Sequence, residues 1–314
     1  MSFSTICVLG GSGFVGRHVC AALAAQGVRV RVITRDRERA KRLTMLPTVE
    51  LVVADAHDTD ALAAAIAGCD AVINLIGVLH SGRGGSSFAA AHVGVARTII
   101  AACRLAGVRR VVQMSALKAA TDGPSAYLRS KGEAEALLRA SGLDVTVFRP
   151  SVIFGREDQF LNMFAAMLKM FPAMIVPAAH ARFQPVYVEN VAQAMAQSLE
   201  RVESIGQRYD LCGPRVYTLQ ELVEWVARTL GVSRLIFGAD ARLTNLMAFV
   251  MECLPGKMMS MDNVRSMTVD SVCKSDCVFP FGIAAQAVEA VAPAWLAQRT
   301  PRGRYAGFRR RAQE

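Results

Sequence analysis

The feature that most constrains this chain stands at its start. The apolar run Ile6-Cys7-Val8-Leu9 leads directly into Gly10-Gly11-Ser12-Gly13-Phe14-Val15-Gly16, and a helical stretch at 14–26, closed by Gly27, follows. Strand, glycine turn and helix in that order open a parallel βαβ unit. The glycines have separate physical tasks there. One takes a positive φ at the turn, one lets bare backbone approach a phosphate, and one lets the helix pack close to the strand. Free N–H groups at the helix start then face an anion. The turn therefore reads as a seat for the pyrophosphate of a dinucleotide, rather than as a glycine-rich turn with no ligand.

The same rhythm runs to about residue 150. Strand-like runs at 28–33, 49–53, 71–76, 110–114 and 145–148 alternate with helical stretches at about 36–45, 58–67, 87–106 and 124–141. Parallel strands joined by helical crossovers predict an α/β, Rossmann-type doubly wound sheet, with helices on both faces. Beyond residue 150 the pattern loosens. Helices are expected near 158–170, 190–202, 218–230, 240–254 and 285–298, and strands near 183–188 and 207–211. Thr218 and Glu221 form a capping box at one helix start. The reading is a dinucleotide-binding domain over 1–150, a smaller C-terminal α/β lobe for substrate or partner over 151–298, and a basic tail over 299–314.

Composition removes several alternatives. The longest apolar candidate for a span, 243–254, is broken by Thr244, Asn245 and Glu252 and falls short of the ~20 residues a bilayer requires. No membrane-spanning segment is expected. No signal peptide is expected, since the first strand begins about four residues after Met1. Eight cysteines occur without a CxxC pair, most of them inside apolar runs. Cys273 and Cys277 are close, yet nothing completes a zinc set. Neither a metal nor a disulfide is expected, and a reducing cytoplasm is. The net charge of +10 is concentrated at the end, where Arg299, Arg302, Arg304, Arg309, Arg310 and Arg311 surround Tyr305 and Phe308. Such a tail suits a solvated end, an anionic lipid surface or an acidic partner. No motif for nucleic acid accompanies it, so none is expected as a partner.

The end of the second strand selects the dinucleotide. An acid there grips the ribose hydroxyls of NAD, whereas an arginine accommodates the 2′-phosphate of NADP. Thr34 and Arg35 fill those positions, and Asp36 reads as the N-cap of the next helix. NADP(H) is therefore preferred over NAD(H). Ser115 closes the fifth strand, and Tyr127 and Lys131 follow at a helical spacing that puts them on one face. A Lys131 ammonium would pull the Tyr127 phenol down toward neutral pH, making it an acid and base, with Ser115 polarising a carbonyl. Tyr and Lys on one helix are commonly packing alone. Their place after a glycine turn and a strand-end Ser favours cofactor contact.

These motifs, with Arg149-Pro150-Ser151, resemble the atypical short-chain dehydrogenases. The run Ile153 to Asn162, the segment Gln184-Pro185-Val186-Tyr187-Val188 and Gly213-Pro214 narrow the likeness. They resemble the bacterial relatives of the NADPH-carrying accessory subunit of mitochondrial respiratory complex I. The resemblance implies Asp55 and Ala56 along the adenine, and Asn74, Leu75, Ile76 and Gly77 beneath the ribose and diphosphate. It also implies Pro150, Ser151 and Ile153 behind the nicotinamide, and Lys131 on its ribose. His92 stands where extended dehydrogenases often carry Asn, and on an apolar helix it reads as a hydrogen-bonded core residue. Glu157 and Asp158 suit a helix start and read as organisers of the lobe.

Two functions follow from these readings. The first is an NADPH-dependent oxidoreductase acting on a carbonyl or quinone-like substrate through Ser115, Tyr127 and Lys131. The alternative, implied by the resemblance, is a nucleotide-holding assembly or regulatory protein of respiratory complex I or ubiquinone biosynthesis. Its tail would touch the inner face of the membrane or the complex, and its Met-rich segment 247–261 would offer an adaptable apolar contact. A nucleotide-sugar epimerase is a distant third, because the 163–176 stretch is too apolar for a sugar.

Overall fold

A computed structural model describes residues 3–78, 87–253, 259–274 and 277–297. The expected basic tail and residues 254–258 of the Met-rich segment lie outside the described residues. Seven strands form one parallel sheet: β1 (Thr5–Leu9), β2 (Arg29–Thr34), β3 (Val49–Val53), β4 (Ala71–Asn74), β5 (Arg110–Met114), β6 (Asp144–Pro150) and β7 (Arg208–Leu211). Their spatial order is β7-β6-β5-β4-β1-β2-β3, so the strand order reverses between β1 and β4. Open α/β sheets receive their ligands in the crevice at that reversal, outside the carboxyl ends of the strands.

The central strands are near-continuous apolar runs because both of their faces are covered. On one face α1 (Phe14–Ala25) packs beside α6 (Val188–Glu200). On the other, α2 (Thr59–Ile66), α3 (Val95–Ala106) and α4 (Ala126–Arg139) pack in sequence. Their core includes Leu62, Ile99, Cys103 and Leu138, each fully buried. The helical run 89–106 is long and apolar enough to cross a membrane by length and composition. Its Val95, Ala96, Ile99, Ala102 and Cys103 are fully buried, which is the pattern of a core helix.

The structure corrects the contiguous domain boundaries expected above. Residues up to Pro150 form one compact unit together with Val188–Leu211 and a segment ending at Ala284. The 207–211 strand placed in the lobe is β7, the edge strand of the main sheet, with Arg208 opposite Val147. A parallel strand requires a crossover connection, and α6 supplies it. Arg110 secures this return. Its guanidinium, buried at 5% exposure, donates to Thr146 Oγ1, Ser198 O and Ser204 Oγ at 2.8–2.9 Å.

The second unit comprises Ser151–Tyr187, residues of the 212–274 stretch and the chain from Ala285. It holds α5 (Phe160–Met170), α7 (Leu219–Leu230), α8 (Ala241–Cys253) and three two-stranded pairings. The Thr218–Glu221 capping box is present, closing both orphan donors. The 285–298 helix is instead two short turns, Val288–Val291 and Pro293–Leu296, separated at a proline whose missing N–H suits a helix start. A further correction concerns the cysteines, since Cys212 and Cys273 are disulfide-bonded. Their 61-residue separation left no local spacing signal. The Gln184 side chain lies across the same junction, donating to Gly213 O at 2.7 Å and accepting from Cys273 N–H at 3.0 Å.

Candidate dinucleotide and catalytic site

The glycine turn is built as the motif requires. Gly10 has φ +76° and donates no side chain to a space where a Cβ would lie 3.1 Å from Ile76 N. A Cβ on Gly16 would fall into the backbone of Gly10 and Gly11, so α1 abuts the turn. Gly13 is the N-cap of α1, with no side-chain cap and no acid in the first turn. The N–H groups of Phe14, Val15 and Gly16 are therefore left to an anion from outside. Ser12 is half-buried and Gly13 exposed, so the turn is open to solvent.

At the end of β2, Thr34 is buried and its Oγ1 donates to Asp36 O at 2.9 Å. Asp36 caps the following turn, accepting from Glu38 N and Arg39 N. That leaves Arg35 exposed, with no ion pair or hydrogen bond to the described residues. Asp55 Oδ1 accepts from His57 N–H at 3.0 Å, shaping the loop after β3, and Ala56 is buried beneath it. Asn74 is turned inward. Its amide donates to Gln113 Oε1 at 2.8 Å and its Oδ1 accepts from Ile76 N–H at 3.1 Å. The loop Leu75-Ile76-Gly77 is thus shaped by Asn74, while the Asn74 side chain is committed to the protein.

At the carboxyl end of β5, Ser115 is 4% exposed and its Oγ has no hydrogen-bond partner. A buried hydroxyl left unpaired costs stability unless a ligand or water completes it. Lys131, on α4, is buried and donates to Met114 O at 3.3 Å. A Cβ at Gly77 would lie 3.0 Å from Lys131 Nζ, so the bare backbone of that loop runs against the ammonium. Burial pulls the Lys131 pKa down to about 8. Tyr127, one turn earlier on the same helix, is half-buried and packs edge-on to Phe88 and His92. Burial pushes its phenol up to about 12. This departs from the expectation that Lys131 draws Tyr127 toward neutral pH, because loss of water around the phenol disfavours its charged form.

His92 sits in a one-turn π-helix, Ala89–Gly94. Its Nε2 accepts from Val78 N–H at 3.3 Å and its Nδ1 lies 2.8 Å from Ser130 Oγ. The Ser130 hydroxyl donates in turn to Tyr127 O at 2.9 Å, which assigns the His92 proton to Nδ1. Burial, and then the Lys131 charge, lower its pKa to about 3. His92 is a neutral, fully bonded core residue that braces the loop at 78 against α4.

Glu135 was not singled out in the sequence, though it lies four residues beyond Lys131. Arg149 grips it from β6 with two hydrogen bonds of 2.8 and 2.7 Å, and Glu135 is 3% exposed. The pair fastens the helix that presents Tyr127 and Lys131 to the strand ending at Pro150. Arg208 also reaches Glu135, at 3.6 Å, so Arg149→Ala removes the two short hydrogen bonds but not every cation, and is expected to cost about 2 kcal/mol. Urea unfolding monitored by circular dichroism measures it.

Pro150 is buried at the end of β6. Ser151 and Ile153 belong to the second unit. The Ser151 hydroxyl donates to Ser271 O at 2.8 Å, and Ile153 pairs with Val186. Asp158 is also there, buried, accepting from the N–H groups of Gly155, Leu161 and Asn162. It caps α5, in keeping with an organising role. Among the described residues, no group of three His, Cys, Asp or Glu is placed to hold a metal.

A family model described as NAD(P)H-binding matches residues 10–162, which contain the glycine turn, Ser115, Tyr127 and Lys131. This match and the relatives below make the chain similar to the NAD(P)H-binding, atypical short-chain dehydrogenases/reductases. It is 34% identical over 223 residues to the mitochondrial NADH dehydrogenase [ubiquinone] 1 alpha subcomplex subunit 9 of Arabidopsis thaliana. That match covers 69% of this chain and 56% of the relative. The chain thus spans little more than half the length of these respiratory relatives. It is 27% identical over 245 residues to a 4-hydroxy-2-methyl-3-oxo-4-farnesyl-3,4-dihydroquinoline-1-oxide ketoreductase of Stigmatella aurantiaca, covering 72% of this chain and 73% of that one. Its fold matches an NADPH-dependent quinone oxidoreductase of Escherichia coli solved with NADPH. The TM-score is 0.73 at 20% identity, covering 94% of this chain and 98% of that one.

Proposed function

We propose that this protein is an NADPH-dependent reductase of a carbonyl or quinone-like substrate. The observation that carries the reading is the unpaired Ser115 hydroxyl, buried at the end of β5 next to the Lys131-bound Met114 carbonyl. A scaffold that only held a nucleotide would gain stability by losing that hydroxyl. The residues fit the cofactor: uncapped amides for its pyrophosphate, a free Arg35 for its 2′-phosphate, and a buried ammonium at Lys131 for its ribose hydroxyls. When bound, NADPH supplies a hydride. The chain supplies the rest. Ser115 donates a hydrogen bond to the substrate oxygen and draws electron density from the carbon to be reduced. Tyr127, protonated at every ordinary pH, delivers its proton to that oxygen. Water then restores the phenol.

The test is consumption of NADPH by the purified protein, offered short-chain quinones and a panel of aldehydes and ketones. Oxidation that requires the acceptor supports the reductase. Tight NADPH binding with no oxidation favours the second reading, a nucleotide-holding protein of the respiratory chain or of quinone synthesis, to which the respiratory relatives lend weight. Cofactor choice has its own test. Arg35→Ala is expected to weaken NADPH about tenfold or more, the loss of one charge-assisted pair, and to leave NADH unchanged. Fluorescence titration with both nucleotides reads the outcome.

A further inference from the structure

The second unit carries apolar surface that its own core does not use. Strands Ala173–Val176 and Leu235–Gly238 pair in parallel, Ala173 opposite Leu235 and Ile175 opposite Phe237. Alternation turns Met174 and Val176 inward, 6% and 0% exposed, where they join the core around Leu161 and Leu168. The same alternation turns Leu235 and Phe237 outward, 64% and 56% exposed, with Ile175 exposed beside Phe237. A strand face turned to water ordinarily reads polar. Both faces of this small sheet are apolar.

The neighbouring segments repeat the inversion. Met170 and Phe171, just before the first strand, are exposed. The second strand runs through Asp240 into α8, whose Thr244 and Ala248 are buried. Thr244 Oγ1 accepts from Ala178 N–H at 3.0 Å, so the polar group of this helix faces inward. Leu243, Leu246, Phe249 and Val250 stand outward at i, i+3, i+6 and i+7, a single helical stripe. Scattered apolar side chains are normal on any surface, but a run of them over three consecutive segments marks a contact site.

Their chemistry selects the occupant. The outward residues named are aliphatic, Met and Phe, with no hydroxyl, amide or indole for directional recognition. The acids of α8 and its entry are committed to backbone. Asp240 accepts from Leu243 N–H at 2.7 Å and Glu252 from Met261 N–H at 3.2 Å. Arg228 and Arg242 are exposed and make no ion pair with the described residues. The chain as a whole carries +10. Apolar side chains without directional groups, accompanied by free cations, match an anionic bilayer.

We propose that the outer face of the Ala173–Val176/Leu235–Gly238 sheet and α8 is a membrane-docking surface, seated in the headgroup–acyl boundary of an anionic membrane. The inference is independent of whether the nucleotide turns over. It is tested by sedimenting the full chain with vesicles of phosphatidylcholine alone and of phosphatidylcholine with phosphatidylglycerol. Wild type is expected to bind the anionic vesicles, and the Phe237→Ser/Phe249→Ser variant to bind them at least about tenfold more weakly, from the apolar area lost. Because both side chains are exposed, its circular dichroism melt is expected to match wild type. A chain ending at Leu296 keeps part of the binding. Unchanged binding by the serine variant, or complete loss in the shortened chain, would overturn the proposal. So would light scattering that shows a dimer dissolved by the same two substitutions, since the face would then belong to a second copy of this chain.

Discussion

Replacing Tyr127 with Phe is expected to lower NADPH-dependent turnover by about 10²-fold or more, the usual contribution of a positioned proton donor, while NADPH affinity stays at its wild-type value. The substitution removes one oxygen and keeps the ring that packs on Phe88 and His92, so the site should hold its shape. Steady-state kinetics together with a binding titration separate the two effects. The pH dependence follows from the directions of the two shifts. With its phenol pushed up to about 12, Tyr127 keeps its proton throughout the ordinary range and is suited to donate it. Lys131, pulled down to about 8, is charged below that value and neutral above it. Reduction should therefore hold steady through neutral pH and fall as pH rises past about 8. In Lys131→Met the fall near 8 should vanish, along with much of the rate. Alcohol oxidation, which needs the phenolate, should instead rise toward high pH. A fall near 8 that survives in Lys131→Met would show that another group governs it.

The second large effect is expected at the turn. Gly16→Ala should reduce NADPH affinity by about 100-fold or more, equivalent to losing two charge-assisted hydrogen bonds of ~1.5 kcal/mol each. The added Cβ would meet the backbone of Gly10 and Gly11. Relief requires α1 to move off the turn, which carries its amide groups away from the phosphates. Gly13→Ala is the graded control, because a Cβ there meets Gly10 O at 3.2 Å, a contact that small shifts relieve. Calorimetric titration should rank wild type above Gly13→Ala and Gly13→Ala above Gly16→Ala. Equal affinities would mean that the pyrophosphate lies elsewhere.

The sequence was most legible where the determinants are local. The glycine turn, the Asp36 N-cap and the Thr218–Glu221 capping box each lie within a few residues, and each folds as its chemistry dictates. The strand-helix rhythm to residue 150 was legible because burial on both faces writes long apolar runs. Non-local partners were not. β7 joins the sheet only after a long excursion from β6, and its short RYDL run carries no sign of its neighbour. Glu135 meets Arg149 across 14 residues, and Cys212 meets Cys273 across 61. The Tyr127–Lys131 spacing predicted the shared helix face, yet the direction of the Tyr127 shift depends on burial that spacing does not reveal. Asn74 taught the same lesson, because its partner Gln113 is brought in by the pairing of β4 with β5.

The most direct test of the account is a crystal structure of the protein with NADPH. It should show the pyrophosphate on the amides of the Gly13–Gly16 turn, the 2′-phosphate at Arg35, and the nicotinamide ribose within hydrogen-bonding reach of Lys131 Nζ. The nicotinamide should face a space bounded by the Ser115 and Tyr127 hydroxyls. A nicotinamide held away from Ser115 and Tyr127, with Lys131 still bonded only to Met114, would contradict the reductase and leave a nucleotide that this chain merely holds.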